Sequence, residues 1–283
     1  IDVSDKKDVE NVFKKKKFNY IYLLAGQVAV TTSITNPKLD FNSNILGCFN
    51  VLESIRKYSP NSVLIYSSTN KVYGGLEEVK IIKEKKQYNF SNIRKGINEN
   101  FSLNFASPYG CSKGAADLYC LDYAKTFNLK TIVLRQSCIY GRYQLGVEDQ
   151  GWMAWMIIAS MFDKKIKIYG DGFQTRDALF VDDLVDAYLM CKDKKKCYGK
   201  AYNIGGGIKN KISVIELINF LKDNLNKKTK YAYNGWRKSD QKVFFSDNSK
   251  AFKDFKWYPK TKLKDGLFKS ISWMKENKNI ILS

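Results

Sequence analysis

The stretch VLIYSSTNKVYG, residues 63–74, decides the fold. Val63 to Tyr66 run without a polar interruption and close on Ser67-Ser68-Thr69. A continuous apolar run of this length, ended by a turn signal, reads as a strand buried on both faces, and such strands belong to parallel sheets covered by helices. Outward from it the pattern repeats. Residues 39–58 have helical spacing, and ahead of them 20–24 form another short apolar run, ending in Ala25-Gly26. Residues 5–17 read as a helix with Val9, Val12 and Phe13 on one face. Beyond the decisive strand, 75–105 is polar and irregular and reads as a loop, 108–127 as a helix and 131–134 as a third strand. Strands alternating with helices argue for βαβ units.

The second half changes character. Helices are expected at 152–162, 181–191 and 214–225, among short strand-like pieces, with turns at Gly170-Asp171-Gly172 and Gly205-Gly206-Gly207. The expected architecture is α/β. A Rossmann-type parallel sheet occupies residues 1–141 and regains 180–205, and a smaller, partly interleaved C-terminal lobe over 142–283 takes the substrate.

Composition removes several functions. The formal net charge is +20, but only six of the 48 basic residues are Arg, and the lysines are scattered in runs such as 14–17 and 194–196. Base reading relies on the bidentate Arg fork, so no nucleic-acid partner is expected. A field that favours anionic, phosphate-bearing substrates fits the same charge. The sequence holds no His, which removes Ser-His-Asp triads, His-ligated zinc and imidazole bases. No metal is expected, and proton transfer falls to Tyr, Lys, Cys or a carboxylate. Six Cys without a CxxC spacing read as small buried hydrophobes in a reducing cytoplasm. The longest apolar stretch, 152–162, is too short to span a bilayer.

Tyr109-x-x-x-Lys113 carries the chemistry. Residues four apart share a helix face, and an ammonium near a phenol favours the phenolate, a base able to deprotonate a sugar hydroxyl. The spacing alone decides little, since roughly two or three such pairs arise by chance in a chain this rich in Tyr and Lys. Three occur: Tyr109/Lys113, Tyr188/Lys192 and Tyr258/Lys262. Tyr109 stands out by its company. Ser107-Pro108 opens its helix, and Gly110, Cys111, Ser112, Gly114, Ala115 and Ala116 give a surface that a cofactor can approach closely. Thr69, at the end of the decisive strand, can donate to the oxygen that Tyr109 deprotonates. Ligands of open α/β sheets bind beyond the carboxyl ends of the strands.

LAG at 24–26, Asn44, SSTNKVYG, SPYGCSKGAAD at 107–117, Arg135, Tyr140-Gly141, GDG at 170–172, Arg176-Asp177, NIGG at 203–206 and RKSDQ at 237–241 together resemble the extended short-chain dehydrogenases. The resemblance implies NAD as cofactor and a nucleotide sugar as substrate, with roles by position. Thr69, Tyr109 and Lys113 would be the catalytic set. Asp2 and Val3 would hold the adenine. Leu24, Ala25, Gly26 and Gln27 would line the cofactor, with Asn44 and Ser67 beside them. Ser137 and Cys138 would sit near the nicotinamide. Gln150 and Trp152 would face the substrate, and Arg176 and Arg237, with Asp240 nearby, would hold its nucleotide and diphosphate. The alternative for both arginines is a structural ion pair with Asp177 or Asp240. The family's first strand, glycine-rich turn and first helix would all lie ahead of Ile1, so a fragment of a longer gene product or a decayed copy is expected.

In finer detail, LAGQVAVTTSITNP, DQGW and SDQKVF look like the branch that inverts C2 of a CDP-dideoxyhexose through a transient ketone. Inversion at C4 of a UDP-sugar, reduction and a non-catalytic remnant are the alternatives. Dehydration fits poorly, because the family's dehydratases carry Asp-Glu after the catalytic Thr, where this chain has Asn70-Lys71. Helices 39–58 and 108–127 often pair between subunits in this family, so a homo-oligomer is expected, with no membrane partner.

Overall fold

The protein, here as a computed structural model, is described over residues 1–225, 229–237 and 240–282; Lys238 and Ser239 of the RKSDQ motif lie outside the described residues. Four parallel strands form the main sheet in the order Tyr20–Leu23, Val63–Thr69, Lys130–Gln136, Lys200–Ile204. The expected α/β class with a Rossmann-type parallel sheet is borne out. Alternation along the central strand sends Leu64 and Tyr66 to one face, with Val9, Phe13, Leu52, Ile55 and Cys120. Val63 and Ile65 go to the other, with Leu184, Tyr188, Tyr202 and Trp257. Leu52, Ile65 and Leu64 keep no more than 1% of their surface, and each such burial stabilises by about 1.5–3 kcal/mol.

The local signals that start each helix are visible. Asp5 caps Lys6–Lys15, accepting from the Lys7 and Asp8 amides at 2.7 and 3.1 Å. Ser107 caps Pro108–Phe127 by accepting from the Gly110 amide at 3.1 Å, and Pro108 stands where no intrahelical donor is needed. Asn128, left-handed at φ +56°, ends that helix.

Two expectations need correction. Helical backbone begins well before residue 39, with Val30–Thr35 and Pro37–Asp40, and 39–58 is not uniform: Phe41–Leu46 is a π-helical stretch before the regular helix Gly47–Tyr58. Asn36 caps the middle piece by accepting from the Leu39 amide at 3.0 Å. The polar excursion 75–105 is not only loop. It contains the antiparallel hairpin Ile81–Glu84 and Gln87–Phe90. Phe90 and Leu76 pack with Phe244 and Phe245, so the hairpin is held by a patch more than 150 residues away rather than by its own polar sequence.

The second sheet is mixed. Thr175–Phe180 pairs in parallel with Cys138–Tyr140 and Val243–Phe244, and antiparallel with Lys211–Ser213. Ile166–Tyr169 pairs in parallel with Tyr231–Asn234. The helices Trp152–Met161, Val214–Leu225 and Leu263–Glu276 cover this side.

One buried ion pair ties these parts together. Arg135 donates to both carboxylate oxygens of Asp117, at 2.8 and 3.0 Å, and the two side chains keep 5% and 0% of their surface. Ser68 donates to the same carboxylate at 2.9 Å. Arg135 also donates to the Tyr73 hydroxyl at 3.1 Å, which donates in turn to Asn203 at 2.8 Å. The helix Pro108–Phe127, three strands of the sheet and the turn after Thr69 thus share one network. Removing one partner of a buried pair leaves an uncompensated charge, costing about 3–5 kcal/mol. Arg135→Met is therefore expected to lower unfolding free energy by about that amount in urea titrations; a loss under about 1 kcal/mol would show that the network carries little of the fold's stability.

Candidate active site

A cleft of about 690 Å³ opens at the carboxyl ends of the parallel strands, between the two sheets. Among its lining residues are Leu24, Ser67, Thr69, Tyr109, Lys113, Ser137, Cys138, Gln150, Trp152, Arg176, Arg237 and Asp240. A second, more open cleft of about 540 Å³ is lined by Asp2, Val3, Ala25, Gly26 and Gln27, with Ile1, Leu39 and Ser43. Apart from Ile1, Leu39 and Ser43, these residues are those expected in catalytic, substrate or cofactor roles, and the fold gathers them into two clefts.

Thr69 and Tyr109 both line the cleft, both are buried, and the Thr69 side chain acts on the phenol. Burial pushes the Tyr109 phenol up to about 12, against the opposing Thr69 hydrogen bond, with Asp40 adding to the rise. Burial also drives Lys113 down to about 8, opposed by weaker attractions to neighbouring acidic groups. Its ammonium lies 4.5 Å from the centre of the Tyr66 ring. Desolvation of the phenol thus outweighs the effect of the Thr69 side chain beside it.

The cradle at 24–27 is built around Asn44, on the π-helical stretch. Its amide donates to the Gln27 carbonyl at 3.1 Å, to Asp40 at 3.2 Å and to Ser112 at 3.0 Å, leaving its buried Oδ1 without a partner. Gly26 faces that oxygen, and a Cβ there would lie 2.5 Å from it and 3.9 Å from Lys113 Nζ. A bare backbone, an orphaned acceptor and an ammonium thus converge on one spot. A dinucleotide would fit here, with Asn44 accepting from and Lys113 donating to its hydroxyls.

The far wall is electrostatic. Arg176 donates to Asp240 at 2.7 Å, the expected structural alternative for that arginine. Arg237 pairs with neither Asp177 nor Asp240; it donates to Asp149 at 2.8 Å and lies 3.9 Å from the Tyr169 ring centre. Burial pushes Asp240 up, but Arg176, Lys71 and Arg237 together hold it below its usual value. Ser137 donates to the Asp177 carboxylate, so its hydroxyl is engaged away from the cleft. Trp152 donates its indole N–H to Cys138 at 3.0 Å, and burial pushes that thiol up to about 12, so it is neutral at ordinary pH. At NIGG, a Cβ on Gly205 would sit 2.4 Å from Asp177 Oδ2, so the glycine is a packing requirement of this strand end.

The other two Tyr/Lys pairs lie elsewhere in the fold. Tyr258 is half exposed and outside any helix, and Tyr188 is a core residue bonded by the Gln136 amide. Sequence reasoning assigned no site role to Lys71, Gln136, Lys167 and Tyr169, which also line the cleft.

The model of the GDP-mannose 4,6-dehydratase family matches residues 1–269, nearly the whole chain. The protein belongs to this family. The resemblance read from SSTNKVYG and SPYGCSK is borne out. Among similar proteins, CDP-paratose 2-epimerase of Salmonella typhi is 42% identical over 96% of this chain and 82% of its own length. The UDP-glucose 4-epimerase of Thermotoga maritima, solved with UDP-glucose, superposes with a TM-score of 0.85 at 27% identity, covering 98% of this chain and 84% of that one. The UDP-glucuronic acid 4-epimerase of Bacillus cereus, solved with UDP-glucuronic acid and NAD, has a TM-score of 0.81 at 26% identity over 96% and 80%.

The 2.5 Å approach at Gly26 makes a direct test. Gly26→Ala forces Asn44 out of its three hydrogen bonds and fills the cradle. NAD affinity by calorimetry is expected to fall at least about tenfold, the scale of losing one charged or two neutral hydrogen bonds. Unchanged affinity would mean that the dinucleotide does not run past Gly26.

Proposed function

We propose that the protein is an NAD-dependent nucleotide-sugar epimerase that converts CDP-paratose to CDP-tyvelose by inverting C2. The gathering of Thr69, Tyr109 and Lys113, all buried, in the lining of one cleft carries the reading, since it offers a donor and a base to one substrate oxygen. Tyr109 takes the hydroxyl proton as the carbon becomes a ketone, and returns it after the sugar has turned. Thr69 holds the oxygen throughout. Lys113, beside Gly26, places its charge where cofactor and phenol meet. Bound NAD supplies the acceptor and then the donor of a single hydride. Arg176 and Arg237 grip the diphosphate while the ring rotates, a task suited to planar forks.

Asn70 and Lys71 stand where elimination of water needs an acid and a base. Asn70 donates to Gln241 at 3.1 Å and is committed to the wall of the site. The choice of cytidine and of C2 rests on the 42% identity to the Salmonella enzyme and on the shared motifs. The setting proposed is cytoplasmic; among the described residues no helix is long and apolar enough to cross a membrane.

A dimer belongs to the same proposal. Phe49, Leu118, Tyr119 and Phe127 stay 38–48% exposed on the helices Gly47–Tyr58 and Pro108–Phe127. Exposed apolar side chains gathered on two adjacent helices mark an association surface. Leu118→Glu is expected to convert a dimer to a monomer in light scattering; a wild-type monomer at micromolar concentration would refute the interface.

The proton step is tested at Tyr109. Tyr109→Phe should lower kcat about 10²- to 10⁴-fold with the melting temperature nearly unchanged. With CDP-paratose deuterated at C2, the label should remain on C2 in the product. Its loss to solvent would reject hydride transfer, and its retention with inversion of a UDP-hexose at C4 would keep the mechanism and refute the substrate.

A further inference from the structure

Lys71 is a cleft residue that the reaction scheme does not use. It is the second residue of the short helical turn Asn70–Tyr73, whose cap is Thr69, and its amide donates to Thr69 Oγ1 at 3.2 Å. Its position is therefore set by the hydroxyl of Thr69, which shares the cleft with Tyr109. At its other end, Lys71 Nζ stands 3.6 Å from Asp240 Oδ1, the oxygen that Arg176 already engages at 2.7 Å. Lys71 thus reaches from the reacting end of the cleft to the ion pair at the diphosphate end. The sugar ring has to lie between those two ends.

Charge counting says what this residue wants. Arg176 and Lys71 share one carboxylate, while Arg237 and Lys167 have partners of their own in Asp149 and Glu148. Cys138, between Lys71 and Arg176, is held neutral by burial. Asp177 adjoins Arg176 in the chain, but neighbours along a strand face opposite ways, and its carboxylate is taken up by Ser137, Ser246 and the Gly207 amide. The inner cleft therefore holds a cation that lacks its share of counter-charge. A half-desolvated ammonium in that position is completed by oxygen acceptors from a ligand.

We propose that Lys71 is a sugar-binding residue whose ammonium holds the one ring hydroxyl that does not react. The proposal rests on the nucleotide-sugar reading of the site. A hexopyranosyl group carries free hydroxyls at C2, C3, C4 and C6. A dideoxyhexose keeps two of them, and one is oxidised in the reaction. The remaining hydroxyl is the only polar handle by which the ring can be oriented, and its oxygen accepts from Lys71. Burial lowers Lys71 to about 8, with Asp240 opposing, so its charge disappears just above neutral pH. Only the protonated amine has three donors to share between Asp240 and a sugar oxygen.

The test compares bare nucleotide with sugar nucleotide on the NAD-loaded protein. CDP, CDP-paratose and UDP-glucose are titrated into wild type, Lys71→Met and Lys71→Arg, with a thermal melt on each. For whichever sugar nucleotide binds, Lys71→Met should weaken it about 10- to 100-fold, while CDP affinity stays within about twofold. Wild-type affinity for the sugar nucleotide should fall as pH rises through about 8, and Lys71→Met should lack that limb. Lys71→Arg should recover part of the loss and carry its charge to higher pH. Equal losses for CDP and the sugar nucleotide would place Lys71 on the diphosphate or make it a mere prop for Asp240, and an unchanged ratio would make it a bystander; either overturns the proposal. Turnover of CDP-paratose by wild type is read separately. Its absence would refute the functional reading, while the affinity ratio would still judge Lys71.

Discussion

The buried contact between Asp117 and Arg135 is the constraint on which the site depends. Two ions without water are costly, and their attraction repays the cost only where geometry is good and the remaining lone pairs are filled. Here the guanidinium meets both carboxylate oxygens, and Ser68 and Tyr73 take up what remains. Asp117 lies two helical turns beyond Tyr109 on the same helix, and Ser68 immediately precedes Thr69. The pair therefore fixes the phase of the helix against the sheet, and with it the distance between the base and the hydroxyl that assists it.

The site works largely through desolvation. Burial raises Tyr109 and lowers Lys113 and Lys71, favouring the neutral form of each, with no imidazole among them. Chemistry in such a site waits for cofactor and substrate, because burial alone keeps the Tyr109 phenol protonated.

Much of this was legible in the sequence for simple reasons. A strand buried on both faces has no choice but to be apolar throughout, and Val63 to Tyr66 announce it. Tyr109 could be chosen among three Tyr/Lys pairs because a helix that receives a ligand closely must begin with small residues. What stayed hidden has equally plain causes. The hairpin at 81–90 is held by Phe244 and Phe245, so its own polar sequence reads as loop. The π-helical stretch has no distinct composition, and the partners of its Asn44, at Gln27, Asp40 and Ser112, include residues far away in the sequence. The partner of Arg237 is Asp149, 88 positions away, which spacing cannot reveal. Lys71 was lost among the chain's many lysines, since nothing in a run of letters separates a solvated ammonium from one held against Asp240.

Gln241 links the two halves over a separation of 171 residues, by accepting from Asn70 at 3.1 Å. Asp240 beside it engages both Lys71 and Arg176, and Val243–Phe244 completes the sheet around Thr175–Phe180. During synthesis on the ribosome the four parallel strands are all available once residue 204 has emerged, yet Arg237, Asp240 and the strand Val243–Phe244 that close the substrate side come some thirty to forty residues later. Contacts of such high sequence separation form late, because loop closure must precede any gain from them. The nascent chain can thus shape its cofactor half well before its sugar half. Assembly of the working cleft is then gated by the segment around 237–244 rather than by the sheet that carries the chemistry.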